Sequence, residues 1–100
     1  KRTATNVIEV VLPEETLSIE LFPNPSVEDI YIDFNFSAKH NVELFILDAS
    51  GKLVHEVYYE KVKNAKKSID VKEKNLKPGS YTFQFIIDDQ QTLTKQLAVQ

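Results

Sequence analysis

Cysteine is absent from this chain of 100 residues, which excludes a disulfide framework and thiolate metal ligation. The absence also suits a protein that crosses oxidising space without pairing errors. No apolar run approaches the roughly 18 residues that a membrane-spanning helix requires. The opening Lys1-Arg2-Thr3-Ala4 lacks the apolar stretch and small-residue cleavage site of a signal peptide. Methionine is missing altogether, so we expect a segment of a longer protein or a processed product, such as an appended C-terminal module. Charge is also sparse in net terms, at −3 with a pI near 5.3, which argues against nucleic acid as the main partner.

Histidine is limited to His40 and His55. With no cysteine to pair with either, no serine in a nucleophile-elbow context and no Gly-rich phosphate loop, no base-and-orienter constellation exists, and we expect no enzyme. Glu14-Glu15 and Asp88-Asp89 are neighbours that point to opposite faces of an extended chain, so they suit solvated turns better than an acid and base pair. Asp88-Asp89 is at most a weak calcium site, and no metal or cofactor is expected.

Glycine is scarce as well. Its two copies, Gly51 and Gly79, both fall in turn-like sequences, where positive φ is reached without steric penalty.

What is present is period-two alternation of apolar and polar residues. Leu17, Ile19 and Leu21 share one face of a first strand, and Ile30, Ile32, Phe34 and Phe36 share a face of the next. Val42 to Asp48 is apolar on both faces, as in a central strand. Leu53 to Glu60 alternates again, Ile69 and Val71 mark a short strand, and Tyr81, Phe83, Phe85 and Ile87 form the strongest later face. Leu93, Leu97 and Val99 finish the chain, with Lys95 interrupting their face. An apolar share of 42% is enough for one core in a single domain. Together these segments predict an all-β fold: an immunoglobulin-like antiparallel β-sandwich of about seven strands.

The connections carry their own chemistry. Pro23 cannot donate a ladder hydrogen bond and Pro25 restricts Asn24, so Leu21-Phe22-Pro23-Asn24-Pro25 is expected to end the first strand and send the chain to another sheet. Asp48-Ala49-Ser50-Gly51-Lys52 predicts a hairpin, with Asp48 accepting backbone hydrogen bonds across its own turn. Leu76-Lys77-Pro78-Gly79-Ser80-Tyr81 predicts a core plug at Leu76, a reversal at Pro78-Gly79, and a tyrosine whose hydroxyl bonds upstream backbone. Asp88 to Gln91 is a weaker turn. Residues 1–16 read as a linker, with a possible extra edge strand over 7–12, and residues 17–100 as the domain itself.

Lys61, Lys63, Lys66, Lys67, Lys72, Lys74 and Lys77 lie within one stretch that only Asp70 and Glu73 offset. This is either a docking patch for an anionic surface or protection of an edge strand around Ile69 against strand addition; the second is favoured. Tyr31, Tyr58 and Tyr59 are either a sugar-binding platform or ordinary cross-strand packing, again with packing favoured. Asn35-Phe36-Ser37 matches a glycosylation sequon inside a strand, a weak signal.

Pro23-Asn24-Pro25 after a short apolar strand, Asp48 with Gly51-Lys52, and Leu76 with Pro78, Gly79 and Tyr81, followed by a last strand, resemble in that order the type A C-terminal sorting domain of the type IX (Por) secretion system. The resemblance covers about residues 17–100. Near the end, Lys95, Leu97 and Val99 correspond to the family's Lys and Leu-x-Val, except that many members place Lys directly before that triplet, where Gln96 stands here. The resemblance implies a non-catalytic C-terminal secretion signal of a Gram-negative cargo protein. Its partners would be the outer-membrane translocon, a surface sortase cleaving in the preceding linker, the N-terminal cargo domain and an anionic lipopolysaccharide surface. Its route would run through the periplasm to the cell surface or medium. An accessory sandwich that binds carbohydrate or packs on a neighbouring enzyme domain is the alternative.

Overall fold

A computed structural model describes residues 16–100. The expected linker over 1–16, Thr16 excepted, and the possible strand over 7–12 lie outside the described residues.

The domain is all-β. Its strands are β1 (Leu17–Phe22), β2 (Asp29–Leu47), β3 (Leu53–Asp70), β4 (Gly79–Ile87) and β5 (Gln91–Val99). They form one curled antiparallel sheet of five strands, where about seven were expected. The difference has a local cause. The segments expected as separate strands at 30–36 and 42–48 are one long β2, and the one at 53–60 runs on through Ile69 as one long β3, leaving Val71 in the turn that follows. Neither joint, Ser37 to Asn41 nor Lys61 to Ser68, contains glycine or proline, and the chain runs on through both with irregularities in register instead of reversing.

Polar side chains secure that irregularity. The Asn41 side-chain oxygen accepts the Lys61 N–H at 3.0 Å, where Lys61 takes φ of 54°. Asp88 accepts the Asn41 N–H at 2.9 Å and the His40 Nδ1–H at 2.5 Å, while its own N–H donates to the Asn41 carbonyl at 2.8 Å. A residue of the β4–β5 turn therefore clasps the middle of β2.

β3 lies along one edge of β2 throughout. On the other edge, the first half of β2 pairs with β1 and the second half with β4, which in turn pairs with β5. β1 and β2 are thus neighbours in one sheet, from Leu17 opposite Phe36 to Phe22 opposite Tyr31, and the Pro-Asn-Pro segment does not lead to a second sheet. The sheet curls upon itself, bringing Phe34 of the first half edge-on to Phe85 of β4 with ring centroids 6.0 Å apart. The even-numbered apolar residues of β2 and the odd-numbered ones of β4 fill the interior, where Phe34, Phe83 and Phe85 are fully buried. Each such side chain contributes on the order of 1.5–3 kcal/mol by leaving water.

Candidate functional site

The first turn follows β1 and contains cis peptide bonds at Phe22–Pro23 and Asn24–Pro25. Pro23 and Pro25 are exposed and line a depression with Val27 and Tyr31, whereas Asn24 and Ser26 reach the last strand. Asn24 Oδ1 accepts the Ala98 N–H at 3.0 Å. Ser26, fully buried, donates its hydroxyl to the Pro23 carbonyl and its N–H to the Ala98 carbonyl at 2.8 Å. The Gln100 N–H returns to the Ser26 carbonyl at 2.9 Å, making a short parallel bridge between Ser26 and Val99. Nothing in the sequence marks Ser26 or Ala98 as partners, because the bridge depends on curvature accumulated over the whole sheet.

The second turn joins β2 to β3. Asp48 Oδ1 accepts the Ser50 N–H at 2.9 Å, the Ser50 hydroxyl at 2.7 Å and the Lys52 N–H at 3.0 Å. These bonds, the Ser50 hydroxyl foremost, hold the carboxyl below its ordinary value because they favour the charged form. Gly51 takes φ of +87° between them.

The third turn leads into β4. Leu76 is buried in the core, as its position predicts. The Tyr81 hydroxyl donates to the Lys77 carbonyl at 2.6 Å and its ring is buried, so the corner expected from the sequence is present. Gly79, at φ of +153°, stands opposite Val99, and Tyr81 stands opposite Leu97.

Folding brings these three separated turns to one end of the sheet. The first and third meet on the last strand, where Asn24, Ser80 and Ala98 line a shallow depression. The second and third form the walls of a cleft of about 550 Å³, between Asp48 and Lys52 on one side and Lys77, Pro78 and Tyr81 on the other. Leu97 and Val99 lie in the core beside this end. Lys95 does not join it: it stands opposite Phe83 farther along β5, exposed on the face that Leu93 and Leu97 share.

Other expected features separate. Tyr59 turns inward onto Phe34, at 5.5 Å between centroids, and its burial raises its pKa. Tyr58 points outward opposite Glu43, and Tyr31 stacks on Phe22 at 5.6 Å near the other end of β3, opposite Ser68. The three tyrosines therefore share no platform. Asp88 is engaged by His40 and Asn41, which lowers its pKa, and among the described residues no acidic or histidine cluster has metal-ligand form. The lysines of β3 lie on a strand that, among the described residues, pairs with β2 alone.

Comparison with known proteins adds three findings. A family model described as the secretion system C-terminal sorting domain matches residues 20–100. No curated protein sequence matches the chain. Among solved structures, dimeric latent PorU from Porphyromonas gingivalis is similar, with TM-score 0.67 and 18% identity over 95% of this chain and 10% of that one. This chain therefore spans about a tenth of PorU, and the likeness concerns the fold. CopC from Methylosinus trichosporium OB3b has TM-score 0.45 at 20% identity, covering 82% of this chain and 91% of that one, and carries no weight below.

Proposed function

Because the chain belongs to the type IX C-terminal sorting domain family, we propose that it acts as a folded secretion signal without catalytic activity of its own. A cargo protein joined on the N-terminal side would cross the inner membrane, display this domain in the periplasm and leave through the outer-membrane translocon. The signal would be a surface, read only after folding. A surface sortase would then cleave in the segment before Leu17 and join the cargo to an anionic lipopolysaccharide at the cell surface, or release it.

The observation that carries this reading is the convergence of Asn24, the Asp48–Lys52 turn and the Leu76–Tyr81 corner at one end of the sheet. Segments so far apart in sequence form one surface only in the folded domain, and binding residues are commonly displayed on loops held by a rigid scaffold. We assign Pro23, Asn24, Pro25, Asp48, Gly51, Lys52, Leu76, Pro78, Gly79, Tyr81, Leu97 and Val99 to building or presenting that surface. Lys95 would be an outlying contact.

An export assay tests the proposal. Residues 1–100 are fused behind a signal peptide and a fluorescent reporter, in a host with a working type IX translocon and in a translocon-null twin. Reporter at the surface or in the medium of the competent host alone is the expected result. The new C-terminus of the exported reporter locates any cleavage. Retention in the periplasm of both hosts, with the domain folded, overturns the reading.

A further inference from the structure

The cleft between the second and third turns has an uneven charge. Its one lining carboxylate is Asp48, whose Oδ1 is spent on Ser50 and Lys52 N–H groups of its own turn. Two ammonium groups, those of Lys52 and Lys77, belong to the same lining, and among the described residues neither has an ion-pair partner. The cleft therefore carries a net positive charge: Lys52 lies within electrostatic reach of Asp48 without forming an ion pair, and no carboxylate of the lining pairs with Lys77. Beside them, Val54 is 37% exposed, and Pro78 is exposed as well. An apolar wall flanked by unpaired cations suits a ligand that has apolar side chains and carboxylates together.

We propose that this cleft receives an extended acidic peptide segment of the export machinery, with its carboxylates on Lys52 and Lys77 and an apolar side chain against Val54 and Pro78. The inference rests on the export role proposed above and names the partner chemistry for it. A glycolipid headgroup shares the negative charge but fits less well. Its sugars would find no open aromatic face to stack on, since the aromatic residue lining the cleft, Tyr81, is buried, and its acyl chains would find little apolar surface beyond Val54 and Pro78. The lysines differ in origin, one from the β2–β3 turn and one from the corner before β4, so the pair exists only in the folded domain. An unfolded chain presents no such pair at fixed spacing, which gives the machinery a means of selecting folded domains.

The test compares wild type, Lys52→Glu with Lys77→Glu, Lys52→Gln with Lys77→Gln, and Lys52→Arg with Lys77→Arg in the reporter export assay. Thermal melting of each purified domain reports its folding. Both lysines are exposed, so the variants are expected to melt close to wild type. Export is expected to fall about tenfold in the Glu pair, by less in the Gln pair, and hardly at all in the Arg pair, which keeps the charge. A folded Glu pair or, should that variant fail to fold, a folded Gln pair exported like wild type overturns the cleft assignment while leaving the sorting role intact. Wild type that stays in the periplasm removes the sorting role and the cleft with it. Purified wild type binding lipopolysaccharide micelles through Lys52 and Lys77, with the Glu pair released, overturns the peptide assignment in favour of a glycolipid.

Discussion

Asn24 and Ala98, 74 positions apart, are joined by one hydrogen bond of 3.0 Å from the Ala98 N–H to Asn24 Oδ1. With the two backbone bonds of Ser26 to residues 98 and 100, it fastens the first turn to the last strand. Among the described residues β5 otherwise pairs with β4 alone, so this contact holds the other edge of the last strand against fraying.

Asn24→Ala is accordingly expected to lower stability by about 1 kcal/mol, the ordinary net worth of such a bond. For a domain of this size that corresponds to a fall in Tm of about 4–8 °C. The more specific readout is hydrogen exchange, which should quicken at Ala98 and not at Phe83 on the central β4. Equal acceleration at both sites would mean that Asn24 acts on global stability rather than on the last strand.

The Tyr81 corner separates two contributions. Tyr81→Phe keeps the buried ring and loses only the bond to the Lys77 carbonyl, an expected cost of about 1 kcal/mol. Tyr81→Ala also removes the ring from the core and is expected to cost about 3–5 kcal/mol. Chemical denaturation of both variants gives the difference, and near-equal losses would show that the hydroxyl rather than the ring dominates.

Much of this end was legible from residue type. Asp48 and Gly51 specify their hairpin because an aspartate can bond its own turn and glycine reaches positive φ. Tyr81 was legible for a similar reason, since its partner at Lys77 lies only four positions away. The number of strands was not. Ser37 to Asn41 contains residues that neither reverse the chain nor clearly continue it, and the decision falls to Asp88 from a distant turn. The Ser26–Val99 bridge was hidden for the same reason: local alternation reports which face a residue takes, whereas curvature across the sheet decides which edges meet.

Glycine requirements at the two turns should differ in kind. An added Cβ meets no atom within 4 Å at either position, so backbone conformation rather than crowding sets the cost. Gly51, at φ of +87°, is expected to tolerate asparagine, which enters the left-handed region more readily than other residues. Gly79, at φ of +153°, lies where other residues are strained, and Gly79→Val is expected to cost about 1–3 kcal/mol. Thermal melting of the two variants compares them, and a harmless Gly79→Val would show that the corner relaxes to another conformation.

Lysines along β3 should matter for solubility more than for folding. The outer edge of this long strand has no partner among the described residues, and unpaired edges invite strand addition. Replacing Lys63, Lys66 and Lys67 together with threonine is expected to leave the monomer folded but to promote association with rising concentration. Lys66 also sits over the Phe22 ring at 5.4 Å, which accounts for a small loss of stability of about 0.5–1 kcal/mol. Analytical ultracentrifugation over a concentration series checks the effect; a triple variant that stays monomeric would mean the curl of the sheet alone protects the edge.

Acid should weaken the second turn before most of the core is affected. The Asp48 carboxyl is held below the ordinary aspartate value of 3.8 by the Ser50 hydroxyl first and then by the Lys52 and Ser50 N–H groups. Its charged form is thus favoured in the folded state, so its contribution to stability is present above pH 3.8 and is lost as pH falls below that through the folded value. Asp48→Asn keeps an acceptor oxygen but has no charge to lose. The variant should therefore be less stable than wild type near neutral pH, with the gap narrowing as pH drops below 3.8. Urea denaturation of both proteins across this range measures the gap. A gap that stays constant would show that the turn depends on the geometry of the oxygen and not on its charge.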